Sequence, residues 1–458
     1  MKSSKSEIHS KVHAIPHLQF EAQNLTAYSG LVIFQLLFQK INLKSRILKC
    51  FSHKKVTPIF GFHTIFMFLV VHLVLGFRRI RDRDYYCEDP MVKRILGLNK
   101  IPDVSTITRT LSDVDLRSYL KIKRLIQGLV CERLIESKLK RITLDFDGSV
   151  ISTTRKAQGS AVGYNKNKKG ARSYYPLFCT VAQTAQFFNL RHRPGNVHDS
   201  NGSIKFMRQC FRDARKAMPT AVLESRMDSA FFNEDCLKMF TSENVEFTAS
   251  VPFDRFSELK QLVESRSRWE CIDDKWSFFE SEWKPKSWNK KFRFIFIRQK
   301  VLVQRKGEIQ LDLFEPRELD YDFKVIVTNK TESARSILKF HNGRGAQENI
   351  FAQSKTQTQL DYTPTNNLNA NRAFVTAVML THNLSQEIQM FSKQIARNTT
   401  SKRCTLWVFE KIGTFRNNLI HRAGRITYPQ GKLTLTLNAN DKVKNEFLDY
   451  FSSFGVAA

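Results

Sequence analysis

The spacing of apolar and polar residues changes character several times along this chain, and each change predicts a different kind of element. Residues 1 to about 138 read as mostly helical. Leu31 to Ile41 and Ile59 to Leu75 are apolar runs, and Pro102-Asp103-Val104-Ser105-Thr106 caps a helix that continues through Arg109 and Leu111. Residues 139 to about 255 alternate, with strands expected at 141–146, 174–182, 185–191, 221–227 and 245–251, and helices at 200–217 and 233–243. That order suits a mixed sheet with helices on its faces. Residues 256 to about 330 then crowd aromatic side chains, with Trp269, Trp276, Trp283 and Trp288 among them. Lys291 to Arg298 alternates with period two and Tyr321 to Thr328 is strand-like, so this stretch reads as a β-rich insertion. From Ser333 to about Ile420 the pattern is helical again. Ile426 to Leu437 predicts a hairpin turning at Pro429-Gln430-Gly431, and Lys442 to Phe454 a last helix. The expectation is an α/β fold in five segments: 1–138, 139–255, 256–330, 331–400 and 401–458.

One run is about as long as a membrane is thick, Ile59 to Phe77. It holds His63, His72 and two glycines, and Arg78-Arg79 follow at once, so a buried helix is the better reading than a membrane span.

Composition narrows the partners. The chain has 458 residues, of which 42% are hydrophobic and 25% charged, the balance of a globular protein with a sizeable core. Lys and Arg number 73 against 43 Asp and Glu, a formal charge of +30, which points to nucleic acid or an anionic surface. The N-terminal helical segment is basic and is expected to bind DNA. The eight cysteines are scattered without a Cys-x-x-Cys pair, which argues against a zinc site and a disulfide framework and fits a reduced cytoplasm. The first residues are polar and charged, unlike a secretory signal.

Against this basic background three acids stand out. Asp147 in Leu-Asp-Phe-Asp-Gly-Ser and Asp228 in Arg-Met-Asp-Ser-Ala-Phe-Phe each end a strand-like run, and Glu348 lies on an expected helix. Carboxylates so placed can converge on divalent cations, as two-metal phosphoryl transfer requires. Asp145 shares a strand face with Asp147 and is an alternative ligand or a structural acid. Asp147 is favoured because Gly148 and Ser149 open the strand end. Alone, Asp228 would read as a helix cap; paired with Asp147, the ligand reading is stronger. Arg344, Glu348 and Lys355 are spaced by four and seven, nearly one helix face, and the two cations suit phosphate contacts. An exposed helix with surface ion pairs is the plainer alternative. Lys166, Lys168, Lys169 and Arg172 form a basic loop suited to gripping phosphates, and His198 could line the site, although Asn196 or Asp199 could equally be caps.

Taken together these motifs resemble the DDE transposases of bacterial insertion sequences, within the IS-four superfamily and its IS-thirteen-eighty branch. Leu144 to Ser149 is similar to the family's first catalytic strand. Gly163-Tyr164-Asn165, Tyr175-Pro176-Leu177, Arg193 to His198 and Arg226 to Phe232 follow in the family's order. Arg344, Glu348 and Lys355 match its Tyr-Arg-Glu-Lys signature, with His341 where the Tyr is expected. The resemblance implies an RNase H-like mixed sheet with flanking helices, interrupted by a β-rich insertion and preceded by a helical domain. It implies cut-and-paste transposition with two Mg²⁺, or Mn²⁺ as a substitute, on Asp147, Asp228 and Glu348. It implies double-stranded DNA partners (terminal inverted repeats and target), a homodimer in the synaptic complex, no membrane partner, and a bacterial cytoplasm, near the nucleoid. The four tryptophans of the insertion would serve core packing sooner than base flipping. The rival readings are a transposase-derived DNA-binding protein without activity, a nuclease on the same fold, and a membrane-associated basic protein.

Overall fold

Apolar residues on every face of the run after Thr64 leave that helix no side to turn to water, and it is buried from Ile65 onward. The computed structural model describes residues 15–55, 60–153, 156–165, 168–300, 321–397 and 402–457. After a short strand β1 (Leu25–Thr26) come helices α1 (Leu31–Lys40), α2 (Leu43–Cys50), α3 (Phe62–Val74), α4 (Pro90–Leu96), α5 (Val104–Ser112) and α6 (Leu116–Ser137). In α3 every residue from Ile65 to Val74 is buried, and the Nδ1 of His72 meets the hydroxyl of Tyr86 at 2.6 Å. No helix of the described residues is long and apolar enough to cross a membrane.

The strands that follow are β2 (Arg141–Gly148), β3 (Ile151–Ser152), β4 (Ala161–Val162), β5 (Arg172–Tyr174), β6 (Leu177–Val181), β7 (Gln186–Arg191), β8 (Val222–Met227) and β9 (Glu246–Ser250). Helix α7 (Ser203–Ala217) precedes β8, and α8 (Glu234–Ser242), capped by the Asn233 side chain, precedes β9. The stretch expected as one strand at 174–182 is broken at Pro176, which has no N–H to give a sheet ladder. Its first part, β5, joins β3 and β4 in a separate small sheet.

Helix α9 (Ser257–Glu264) and strands β10 (Glu270–Cys271), β11 (Trp276–Trp283), β12 (Phe292–Lys300) and β13 (Tyr321–Thr328) come next. These strands continue the main sheet instead of forming one of their own. Among the described residues that sheet has nine strands in the order β10-β11-β12-β13-β9-β8-β2-β6-β7. β2 runs parallel to β8, and β8 to β9; β6 is antiparallel to β2, β7 to β6, and β13 to β9. Trp283 stands edge-on to Phe294 at 5.1 Å and Trp288 is buried beside Phe232, so these rings pack the sheet.

Three helices complete the frame: α10 (Ala334–Asn342), α11 (Gly345–Gln357) and α12 (Leu368–Ser392). Helix α12 is buried along most of its length. Ala373, Phe374, Val378 and Leu384 share one core with α1 to α5 and with Phe178 and Phe187 of the sheet. The N-terminal helices therefore have no core of their own; they close over the sheet through α12. Helix was expected on to about Ile420; it is interrupted after Ser392 and resumes only at Ile412–Phe415 and, as a π-helix, Arg416–Ile420. Before it resumes, Arg403 reaches Glu224 and the Leu406 N–H donates to the Gln183 carbonyl at 2.9 Å, which ties this stretch to the sheet. A short turn, α13 (Ile412–Phe415), leads to the expected hairpin, β14 (Gly424–Thr427) with β15 (Thr434–Leu437), and to α14 (Asp441–Ser453). β14 also pairs with β1, so residues near the two ends of the described chain share a sheet.

Candidate functional site

Parallel pairing of β2 with β8 sets Asp145 opposite Arg226. Two residues further along each strand, Asp147 and Asp228 arrive together at the same edge of the sheet. Asp228 lies one residue past β8 and opens a tight turn, its Oδ1 accepting from the Ala230 N–H at 3.0 Å. Gly148 follows Asp147 where no side chain would fit. A Cβ there would lie 2.5 Å from both Asp199 Oδ1 and the Tyr175 ring.

Helix α11 brings the third acid. Arg344 stands at its N-terminal boundary and Glu348 in its first turn, one turn apart. The Arg344 guanidinium lies 3.3 Å from Asp147 Oδ2 and 3.6 Å from Glu348 Oε1, so it bridges two acids of different elements. Glu348 is 67% exposed, whereas Asp147 is 18% exposed. Lys355, two turns on, is half-buried. Burial lowers its ammonium below the ordinary range, against the pull of Asp361 and Asp147.

The charges here are not balanced. Burial pushes the Asp147 carboxyl up to about 7, Asp228 and Asp199 push the same way, and Arg344 opposes them. Asp228 is also raised, first by burial. Hard carboxylate oxygens held close in excess of their cations suit a divalent ion, and the residues present fit one. Arg344 now stands between Asp147 and Glu348, and the three carboxylates do not close on a single point. Among the described residues, the acids that do lie within 4.8 Å of one another are Glu224, Glu246 and Glu332. They are no metal site, because protein cations saturate them. Lys330 Nζ lies 2.8 Å from Glu224 and 3.2 Å from Glu332 and also pairs with Glu246, while Arg403 and Arg141 complete Glu224.

The other expected site residues fall in different places. Asp145 is 1% exposed and locked to Arg226, at 2.8 Å from Nε and 2.5 Å from Nη2, so it serves structure and offers no ligand. Arg226 Nη1 also donates to the carbonyls of Phe340 (3.2 Å) and Lys402 (2.9 Å), and Gln347 Nε2 donates to the Asp145 carbonyl at 3.0 Å. His341 is buried with its ring nitrogens 3.0 Å from Thr248 Oγ1 and 2.9 Å from Ser250 Oγ. Both of its nitrogens are committed to β9, so it cannot serve the acids as an accessory group. His198 is near them: its charge bears on Asp228, while its Nδ1 meets Ser200 Oγ at 2.9 Å. Arg172 is exposed and tied to Ser160, Lys168 and Lys169 are exposed, and Lys166 lies outside the described residues.

Sequence reasoning passed over a fourth acid. Asp199 caps no helix. It is nearly buried, held by Arg193 Nη2 at 2.9 Å and by the Tyr175 hydroxyl, which donates to Oδ2 at 2.7 Å. The signal available was an Arg and an Asp six residues apart in a turn; the tyrosine that joins them, Tyr175, lies far back in the chain between β5 and β6.

A family model described as "Transposase DDE domain group 1" matches residues 10–455. A solved structure, the piggyBac transposase synaptic complex with hairpin DNA, is similar with 14% identity over 85% of this chain and 79% of that one, at a TM-score of 0.41. No curated protein matches.

Proposed function

The chain belongs to the DDE transposase family, and from that premise we propose that it cuts and rejoins DNA at the ends of a mobile element, using Asp147, Asp228 and Glu348. The observation that carries this reading is the arrival of Asp147 and Asp228 at one edge of paired parallel strands, with Arg344 linking Asp147 to Glu348. Two Mg²⁺, or Mn²⁺ in their place, would be held by these acids and would supply an activated water and a charge sink for the leaving 3′ oxygen. The first reaction adds water across a phosphodiester, leaving a 3′-OH and a 5′-phosphate. In the second, that 3′-OH attacks another phosphodiester, forming one P–O bond as the old 3′ oxygen leaves. Arg344 opposes the rise of the Asp147 and Asp228 carboxyls and holds Asp147 and Glu348 in place before substrate arrives, and then turns its fork to the phosphate oxygens. Lys355 lies on the same side of α11 for a second phosphate contact. Asp199, fixed by Arg193 and Tyr175, walls the site beside Gly148.

The strand order β7-β6-β2-β8-β9, an antiparallel meander followed by two parallel strands, supports an RNase H-like core. The Arg344, Glu348 and Lys355 spacing supports the IS-four superfamily and its IS-thirteen-eighty-like branch, hence a bacterial insertion sequence moved by cut and paste. The protein then acts in the cytoplasm as a homodimer on terminal inverted repeats and target DNA, with the basic helices of residues 1–138 as the end-binding part. The test is Mg²⁺-dependent cleavage of labelled DNA carrying the element's own ends, comparing wild type with Glu348→Gln and Asp147→Asn. Cutting by wild type alone is expected. End binding without cutting by any of the three would instead favour a DNA-binding descendant that has lost activity, and cutting by all three would remove these acids from the mechanism.

A further inference from the structure

Beside the acids, a cleft of about 850 Å³ opens at the seam between the N-terminal helices and the catalytic sheet. Four separate segments wall it. Arg78, Arg79 and Arg81 come from the turn after α3, Val104 and Thr108 from α5, Val150, Ser152 and Lys168 from the chain after β2, and Lys355 with Tyr362 from α11 and its exit. The one acid in its wall, Asp361, is already taken: Arg78 grips both of its oxygens at 2.9 and 3.0 Å and lies over the Tyr362 ring. Among the described residues no ion pair involves Arg79, Arg81, Lys168 or Lys355, and although Asp361 and Asp147 bear on Lys355 from a distance, these four cations line the cleft without a paired carboxylate. Four such cations in a half-enclosed space are arranged for a polyanion.

The acids themselves do not line the cleft, but it adjoins them: Asp147 bears electrostatically on Lys355 in its wall. Val150 and Ser152 follow Asp147 within five residues, and Lys355 stands two turns along α11 from Glu348. Its volume falls in the range of about 300–1,000 Å³ typical of sites that enclose their ligand. That room admits a few nucleotides of one strand, whereas a duplex would have to lie across the opening. Resting on the function proposed above, we propose that the cleft binds a single-stranded segment of DNA continuous with the phosphate at Asp147 and Asp228, with Arg79, Arg81, Lys168 and Lys355 on successive phosphates. A strand melted or cut at the element end is then led away from its complement along a track that the N-terminal helices and the catalytic sheet build jointly.

The test is fluorescence anisotropy without metal, using the full chain, labelled oligothymidine and a blunt duplex of generic sequence over a range of salt. The variant Arg79→Ala/Arg81→Ala removes two exposed side chains, and Lys442→Ala/Lys444→Ala removes the same charge from exposed positions on α14. The arginine pair is expected to weaken oligothymidine binding about tenfold and to lower the salt slope by roughly 1.4, about 0.7 for each phosphate no longer neutralised. Duplex affinity should stay within about twofold, and the lysine pair should leave both probes alike to within about twofold. Equal losses in the two variants would reduce the effect to net charge. Equal losses on the two probes would make the surface a duplex site, and no loss would leave the cleft without a strand; each result overturns the proposal. Because binding is read without cleavage, this outcome is independent of whether Asp147→Asn and Glu348→Gln abolish cutting.

Discussion

Replacing Arg226 with Met removes the cation from a carboxylate that has no access to water. Arg226 is wholly buried and Asp145 is 1% exposed, and two hydrogen bonds of 2.8 and 2.5 Å join them. Burial alone raises the Asp145 carboxyl, and Arg226 is the group that chiefly opposes that rise. Breaking one side of such a pair costs about 3–5 kcal/mol, because the remaining charge stays buried and unpaired. Arg226→Met should therefore lose that amount in urea denaturation at neutral pH, followed by tryptophan fluorescence. The loss should shrink in acid, where Asp145 takes up a proton. Asp145→Asn/Arg226→Met, which removes the charge as well, should recover about half or more of it. Cleavage should not recover with it. Arg226 also holds the carbonyls of Phe340 and Lys402, one just before the turn that presents Arg344 and Glu348, and that hold is absent from both variants. A cost below about 1 kcal/mol for the single change, or full cleavage by the double variant, would refute the view that this pair positions the acids.

Gly343, in that same turn, leaves no room for a side chain. A Cβ would run into Arg226 Nη1 and the Lys402 carbonyl oxygen, so Gly343→Ala should cost about 1–3 kcal/mol and cut cleavage. Gly345→Ala, with nothing within 4 Å, is the matched control for stability and should leave the denaturation midpoint unchanged or higher. Glu224 is wholly buried, and although burial raises its carboxyl, Arg403 and Lys330 more than offset this and bring it to about 2. A depressed folded value means stability that is present above the ordinary carboxylate range and is lost as pH falls toward 2, because the unfolded chain binds the proton first. Comparing wild type with Glu224→Gln in denaturation series between neutrality and strong acid, the gap should narrow by about 3 kcal/mol.

Local chemistry made much of this fold legible. Strand-like runs marked β2 and β8, period-two alternation marked β12, and Pro429-Gln430-Gly431 marked the terminal hairpin. What the sequence could not carry was pairing between distant segments. Nothing in Tyr321 to Thr328 says that it will zip onto β9, so the aromatic stretch read as an insertion when its strands in fact lengthen the main sheet. Helix α12 announced itself as helix, but its role as the shared core of two regions depends on Phe178, Phe187 and α3, far away in the chain. At the site, Asp147, Asp228, Glu348 and Arg344 stood out through strand ends and helix spacing. Asp199 did not, because a capping Asp and a buried, arginine-held Asp look alike until Tyr175 and Gly148 are seen against it. His341 and Asp145 were misleading for the opposite reason: their neighbours in sequence are candidate site residues, while their own side chains point to partners inside the protein.

The central place of α12 also governs when the protein can become whole. During synthesis, Asp147 and Asp228 leave the ribosome long before Leu368–Ser392 does, and β1 waits still longer for Gly424–Thr427. Until then the sheet face with Phe178 and Phe187 lacks its cover, and the first helices lack the surface they close upon. The order of translation thus delays completion of this frame until α12 and β14 have been made, and a polypeptide released before them carries Asp147 and Asp228 without it.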